Sequence, residues 1–294
     1  MNVSWRFVER HDCPACGGSE GQVLLSVPFT DVRVLGFIAS YYGGRVPNEI
    51  IAGVPYEIRS CPRCALLWQG WILDEAGMRV LYEDWISAED SLAKKRDAEL
   101  PLFAGYAREM EAIAALVGRK QAEVSVLDFG MGWGYWCRMA QAFGFHVSGY
   151  EVSRRRVEHA RQMGVDAIND WSALSRHDFD FINCEQVIEH LPDPLETLRG
   201  LTGLLRTGGV IRVSVPDGRG MAERILQSEW RAAKDALHPL EHINCFTHPA
   251  LCGLAETAGL NWLASSGLPV RNQGTILYFQ CRVNSSEQAK ASLE

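Results

Sequence analysis

No apolar run in this 294-residue chain approaches the 18 or so residues that a membrane-spanning helix needs, so no membrane partner is expected. The first residues, Met1-Asn2-Val3-Ser4-Trp5-Arg6, run into charge and lack the apolar block of a signal peptide, and a cytoplasmic location is expected. Basic charge is not in excess. Lys and Arg number 29 against 36 Asp and Glu, a formal net charge of −7. That balance argues against nonspecific nucleic-acid binding, which depends on neutralising phosphates, and leaves room only for a local basic groove. Internal repeats and low-complexity stretches are absent. So is any C-x-x-x-C-x-x-C run, which removes a radical mechanism built on an iron–sulfur cluster. What remains is an ordinary globular composition, 47% hydrophobic and 22% charged, long enough for one large domain or two smaller ones.

Cysteine, by contrast, is plentiful. Four of the nine form two pairs, Cys13-Pro14-Ala15-Cys16 and Cys61-Pro62-Arg63-Cys64. A single C-x-x-C could be a redox pair. Two such knuckles, separated by one loop, fit a structural Zn2+ site with four thiolates, each turn being tight enough to face both sulfurs to one metal. Gly17-Gly18 relaxes the backbone after the first pair, and His11 is a lesser candidate ligand. The 44 residues between the knuckles exceed a minimal zinc ribbon, so a hairpin or helix is expected around Phe29 to Asn48. Cys137, Cys184, Cys245, Cys252 and Cys281 are scattered singly and read as small buried apolar residues.

Three regions follow. Residues 1–75 form a zinc-ribbon-like module, too small for a large core of its own, so that metal ligation would supply much of its stability. Residues 76–118 form a helical connector or lid, broken at Leu100-Pro101, with Phe103, Tyr106, Met110, Ile113 and Leu116 at helical spacing before a stop at Gly118. In residues 119–294 strand and helix signals alternate. Strands are expected at Val124 to Phe129, His146 to Tyr150, Phe179 to Cys184, Val210 to Val215, Leu260 to Ala264 and Thr275 to Val283, with a further one ending near Asn169. A helix is expected from Asp193 to Arg206 and another from Thr247 to Ala258. Such alternation predicts an α/β fold, a doubly wound Rossmann-like sheet of seven strands beside the small zinc-binding module.

The segment Val126-Leu127-Asp128-Phe129-Gly130-Met131-Gly132-Trp133-Gly134 carries most chemical information. An apolar strand enters a glycine-rich turn and a helix starts directly after it, which brings backbone N–H groups and a helix N-terminus to a ligand. Glycines stand at 130, 132 and 134, and Tyr135 stands where a dinucleotide turn wants Gly or Ala. Glu151, at the end of the next strand and 21 positions after Gly130, can accept from both hydroxyls of a ribose; nicotinamide enzymes use the same device. Asp170 could accept from an adenine amino group with Trp171 against the ring. The plain alternatives are a loop acid and a core tryptophan.

With Phe179-Asp180-Phe181-Ile182, Gln186 through Pro194, and Leu204-Leu205-Arg206-Thr207-Gly208-Gly209-Val210-Ile211 through Pro216 added, the order and spacing resemble class I S-adenosylmethionine-dependent methyltransferases over about residues 120 to 283. The resemblance implies S-adenosyl-L-methionine as cofactor. It implies that Gly130, Gly132 and Gly134 surround the methionine portion, with Asp128 and Met131 in the same turn. Glu151, followed by Val152, would hold the ribose; Asp170 and Trp171 would border the adenine; Cys184, Glu185 and Gln186 would sit beside the sulfonium. In the family His190 is often structural, closing the loop after the fourth strand.

A second segment, His238-Pro239-Leu240-Glu241-His242-Ile243-Asn244-Cys245-Phe246-Thr247, resembles a group of bacterial methyltransferases with an N-terminal zinc ribbon, some of which methylate carbon on nucleotide-linked deoxysugars. By that likeness Glu241 and His242 handle the substrate proton, a task suited to an imidazole titrating near neutrality beside a carboxylate. His238 stands where an aromatic residue would match more closely. The plain alternative for His242 is a loop histidine satisfied by a carbonyl. Ser214 to Asp217, Tyr82 and Trp85 are candidates for the acceptor pocket. Arg154-Arg155-Arg156 and Lys94-Lys95-Arg96 read as solvated helix faces, or as clamps if the substrate carries a diphosphate. The expected function is methyl transfer to a small molecule, a sugar or a nucleotide-linked sugar. Two alternatives stay open: an NAD(P)-dependent sugar-modifying oxidoreductase, for which no Tyr-x-x-x-Lys pair is found, and a non-catalytic zinc-ribbon binding protein.

Overall fold

A computed structural model describes residues 5–174, 178–263 and 274–281. The expected strand ends at Ala264 and Val283 lie outside the described residues. In the N-terminal part, β1 (Phe7–Glu9), β2 (Gln22–Pro28), β3 (Pro55–Ser60), β4 (Leu67–Gln69) and β5 (Trp71–Leu73) are all antiparallel in their pairings. The long gap between the cysteine pairs holds β2, a helix over Val32–Tyr41 started by the Asp31 side chain, a helical turn over Asn48–Ile51, and β3. The remaining strands are β6 (Ser125–Phe129), β7 (His146–Tyr150), β8 (Asp166–Ile168), β9 (Phe179–Glu185), β10 (Leu205–Pro216), β11 (Asn244–Cys245), β12 (Leu260–Trp262) and β13 (Gly274–Cys281).

Seven of these make one sheet in the order β12-β13-β10-β9-β6-β7-β8. The five strands β8, β7, β6, β9 and β10 are mutually parallel, and β13 runs antiparallel between β10 and β12. Numbered one to seven along the chain, the order is 3-2-1-4-5-7-6, unlike the 3-2-1-4-5-6 of the dinucleotide fold. Residues Phe179 to Cys184 of β9 are buried without alternation, as a central parallel strand covered on both faces must be. The order reverses between β6 and β9, and a crevice opens there beyond the carboxyl ends of the strands.

Two expectations shift. The helix after Asp193 covers Pro194–Thr202 and stops at Gly203, four residues short of Arg206. Leu204 and Leu205 are taken by the sheet instead: the Phe179 amide donates to the Leu204 carbonyl, and Leu205 pairs with Phe179 before a register shift leading to Val210. Gly208 turns the chain at φ +77, and a Cβ on Gly209 would crowd the Arg206 and Phe179 carbonyls at 2.9 and 3.0 Å. Second, the N-terminal part does not bury its core alone. The strand β11 completes a four-stranded sheet, β11-β4-β3-β2, and Met221, Ile225, Trp230, Leu237 and Leu240 pack into the same core as Phe29, Ile38, Tyr42 and Tyr56. The segment between β10 and β11 thus fastens the cysteine-bearing part to the large sheet.

Candidate active site

The chain leaves β6 through Gly130, Gly132 and Gly134, all left-handed at φ +76, +56 and +78. The amides of Gly130 and Met131 donate to the Tyr150 carbonyl at 2.9 and 3.0 Å, folding the turn against β7. A Cβ on Gly130 would lie 2.4 Å from Val187 Cγ2 and one on Gly134 3.0 Å from Ala160, whereas one on Gly132 would meet nothing within 4 Å. The turn is therefore closed on two sides and open at Gly132, a backbone cradle for a ligand. Met131 points into the core, where its Sδ fills the space a Cβ on Gly149 would take, and it does not line the cavity. Asp128 lies beneath the turn. It accepts from Asn183 Nδ2 at 2.7 Å and from the Cys137 thiol at 3.5 Å, and burial pushes its carboxyl up to about 7. Asn183 in turn accepts from Arg212, whose buried guanidinium also meets Glu109 and Glu185 at 3.4 Å.

Glu151 directly follows β7, with its side chain buried and facing the cavity. Its Oε2 accepts from the Gly132 amide at 3.1 Å, its Oε1 from the Ser153 amide at 3.0 Å, and Arg156 Nη1 stands 3.5 Å away. Each oxygen keeps capacity for a further donor. Val152 is exposed at the rim of the same cavity. The next residues divide differently from the expectation: Asn169 faces the cavity, while Asp170 caps the turn after it by accepting from the Ser172 amide at 2.9 Å. Trp171 packs edge-on against Phe129 and Tyr150 and fills the space beside Gly200. Cys184 is wholly buried behind the strand end, and Glu185 turns to Arg212. Gln186 does reach the cavity. It is a non-glycine residue at φ +55, held by its amide to the Ser214 carbonyl at 2.8 Å and by Nε2 to Ser214 Oγ at 3.2 Å. Such strain at a strand end is usually retained for function.

These residues form one wall of a cavity of about 1330 Å³; the opposite wall comes from the N-terminal part and the segment before β11. Tyr41, Tyr42 and Arg45 line it from the end of the Val32–Tyr41 helix, Tyr82 from a π-helical turn over Leu81–Trp85, and Lys234, Glu241 and His190 from the loops. Trp85 is instead a core residue stacked edge-on with Trp5. Asp217 turns away to Arg219. Lys94, Lys95, Arg154 and Arg156 reach the cavity, whereas Arg96 pairs with Asp97 and Arg155 with Glu89. Nothing in the spacing of the sequence singled out Tyr41, Tyr42, Lys234 or Asn169; only the short distance of Asn169 from β8 hinted at it.

Glu241 is buried, with Tyr42 Oη 3.1 Å from its Oε1. Burial raises its carboxyl to about 6 against the lowering effect of the tyrosine hydroxyls. His242 Nδ1 meets the Asp235 carbonyl, and its ring lies 3.9 Å from that of His238 and 4.8 Å from that of His190. His190 Nδ1 meets the Glu241 carbonyl at 3.0 Å. Burial holds His190 down to about 3 and His242 down to about 4, so both rings are neutral at neutral pH. His238 is fully buried against Phe37 and Tyr41, with both ring nitrogens unpartnered.

Away from the cavity, the four cysteines of the two knuckles converge. Their sulfurs all lie within 4.8 Å of one another, with Cys13–Cys64 and Cys16–Cys61 at 3.6 Å and none in a disulfide. Metal–sulfur arms of 2.3 Å in a tetrahedron place thiolates roughly 3.8 Å apart, so the set suits a four-thiolate ion. The knuckles are built alike: the amide of Gly17 donates to the Cys13 carbonyl at 2.8 Å and that of Ala65 to the Cys61 carbonyl at 2.9 Å, with Gly17 and Ala65 both left-handed.

A family model described as methyltransferase domain matches residues 99–265. The chain is 27% identical to the ubiquinone biosynthesis O-methyltransferase of Aeromonas salmonicida over half of this chain and 68% of that protein. It is 25% identical to the enzyme of the same name from Citrobacter koseri over 60% of this chain and 72% of that one. Among solved structures, a TehB-like S-adenosylmethionine-dependent methyltransferase from Corynebacterium glutamicum superposes with a TM-score of 0.48 at 20% identity, covering 66% of this chain and 98% of the other. The family match spans more than half of the sequence and includes both the glycine turn and Glu151, so the chain belongs to the methyltransferase-domain family and is an S-adenosylmethionine-dependent methyltransferase.

Proposed function

We propose that this enzyme methylates a small polar acceptor, a sugar or a nucleotide-linked sugar, held between the glycine turn and the Tyr42–Glu241 wall. The carrying observation is that one cavity has both walls: Gly130, Glu151 and Gln186 on one side, and Tyr82, His190 and Glu241 on the other. The cofactor supplies an electrophilic methyl on a sulfonium. Gly132 leaves room for its amino-acid end, Glu151 accepts from its ribose, and Gln186 faces the reacting centre. Acceptor attack is an in-line displacement in which positioning supplies much of the acceleration. The acceptor's proton passes to the Glu241–His242 pair. Tyrosine rings and hydroxyls suit the faces and edges of a sugar, and Lys94, Lys95 and Arg154 at the same cavity suit a diphosphate. The curated relatives' names, as O-methyltransferases of ubiquinone biosynthesis, support a small acceptor and oxygen as the methylated atom. Cys13, Cys16, Cys61 and Cys64 are assigned a structural zinc ion on the strength of their spacing.

Calorimetric titration with S-adenosylhomocysteine tests the cofactor half of this reading, and binding in the micromolar range is expected. Release of S-adenosylhomocysteine is then followed across a panel of nucleotide sugars, free sugars and phenols. Turnover confined to the phenols would overturn the sugar assignment.

A further inference from the structure

A second cluster of potential metal ligands lies at the edge of the cavity. We propose that Glu189, His190 and His242 form a two-histidine, one-carboxylate site for a first-row divalent cation, opening onto the acceptor end of the cavity. One ligand atom from each lies within 4.8 Å of the other two, and Glu189 Oε1 is 3.7 Å from His190 Nε2. Arms near 2.1 Å would set such atoms roughly 3 to 3.5 Å apart, so loading needs a contraction of about 1 Å.

The tautomers are dictated by the backbone. His190 Nδ1 faces the Glu241 carbonyl and His242 Nδ1 faces the Asp235 carbonyl. A carbonyl only accepts, so each Nδ1 carries the proton and each Nε2 keeps its lone pair. A metal-bound histidine characteristically gives its second N–H to a carbonyl in this way. Glu189 adds an independent sign. It is completely buried and neither carboxylate oxygen has a hydrogen-bond partner. Burying a carboxyl without a donor is costly, and a bound cation removes the cost.

The two segments that carry the ligands are also locked together. Asn244 Nδ2 donates to the carbonyls of Ile188 and Leu191 at 3.2 and 2.7 Å. Gln69 Nε2 donates to those of His238 and His242 at 2.8 and 3.1 Å. Two imidazoles and one carboxylate suit iron, zinc, cobalt or manganese and leave coordination positions open; calcium and magnesium prefer oxygen-only sets. His190 lines the cavity, so an open position would face an acceptor oxygen. With an ion in place His242 is a ligand, and the acceptor's proton falls to Glu241. The site rests on ligand geometry and not on which acceptor is used.

The test is titration of the full zinc-loaded chain with Co2+, read by visible absorption and metal analysis. One equivalent beyond the cysteine-held zinc is expected, with ligand-field bands in the visible and no thiolate-to-cobalt charge transfer. Glu189→Gln and His242→Ala should each lose those bands while keeping the zinc and S-adenosylhomocysteine binding. His190→Ala serves as the third variant if Glu189→Gln does not fold. Absence of the bands in the unsubstituted protein, their survival in the variants, or a thiolate charge-transfer signature would each overturn the site. Failure to bind S-adenosylhomocysteine would strike the cofactor reading and leave this one standing.

Discussion

Tyr42 and Glu241 stand 199 positions apart in sequence, and Tyr42 Oη lies 3.1 Å from Glu241 Oε1 in a buried contact. The same hydroxyl is 2.9 Å from the Pro239 carbonyl. One proton therefore serves two acceptors, and the carboxyl is held by the N-terminal part of the chain and not by its own loop. Tyr42→Phe is expected to lower kcat by tenfold or more, about 1.4 kcal/mol of transition-state stabilisation, with S-adenosylhomocysteine affinity within about twofold. Loss of the hydrogen bond costs about 1 to 2 kcal/mol of stability. Calorimetry, a thermal melt and initial rates separate the three. Unchanged kcat would show that this contact positions nothing.

The glycine turn allows a paired test. Gly130→Ala places a methyl 2.4 Å from Val187 Cγ2 at φ +76, so both crowding and the left-handed backbone oppose it. Gly132→Ala meets open space at φ +56 and bears only the backbone cost, about 1 to 2 kcal/mol. The thermal midpoint should fall further for Gly130→Ala. Gly132→Ala should lose S-adenosylhomocysteine affinity out of proportion to its smaller midpoint change, because its methyl enters the ligand's space. Equal losses in both measurements would contradict an open cradle at Gly132.

The turn was legible because its signal is local: an apolar strand, three glycines and a helix start within ten residues. The seven-stranded sheet was legible for the same reason, through alternation of short periodic segments. What stayed hidden is non-local. Asn244–Cys245 pairs with Leu67–Trp68, and no pattern in either segment names the other. Leu204 and Leu205 continue a helical apolar pattern, yet Phe179 recruits them into the sheet. Asp170 and Asn169 are neighbours of similar size, and only the backbone direction after β8 decides which one faces the cavity. The left-handed Gln186 and the clustered histidines likewise arise from tertiary packing, which no residue spacing encodes.

Glu151 and Asp170 make a second contrast. Glu151→Gln removes the charge that faces the Gly132 and Ser153 amides and Arg156, and puts an amide donor where only acceptors fit. S-adenosylhomocysteine affinity should fall at least tenfold, about 1.4 kcal/mol. Asp170→Asn keeps the cap on the Ser172 amide outside the cavity and should leave affinity within about twofold. Calorimetric titration of both variants is decisive: a larger loss in Asp170→Asn would reverse the placement of the cofactor's polar contacts.

Asp128 gives stability a pH dependence of predictable sign. Burial raises its carboxyl from 3.8 to about 7. Between those values the folded chain keeps a proton that the unfolded chain has released. The group's contribution is thus complete below about pH 4 and is lost as pH rises through 7. Each unit of pKa difference is worth about 1.4 kcal/mol. Asp128→Asn is neutral throughout and retains an acceptor for Asn183. Its Tm relative to the unsubstituted protein should therefore climb by several degrees from pH 5 to pH 8. A flat difference would mean that Arg212, acting through Asn183, keeps Asp128 ionised in the fold.

The cysteine cluster shares a hydrophobic core with the large sheet: Cys13, Ala15, Cys61, Leu66 and Trp68 pack in one body with Phe246, Leu251 and Ile188. Loss of a metal there should not release a detached module but loosen the segment that carries Glu241. One zinc per chain is expected at this cluster by elemental analysis. Cys61→Ser, or a strong chelator, should remove it and lower Tm, with a loss of stability on the order of several kcal/mol. Methyl transfer should suffer more than S-adenosylhomocysteine binding, because Tyr42 and Glu241 depend on the N-terminal part while Gly132 and Glu151 do not. Equal loss of both activities at a temperature where the variant remains folded would show that the cluster supports the whole chain evenly.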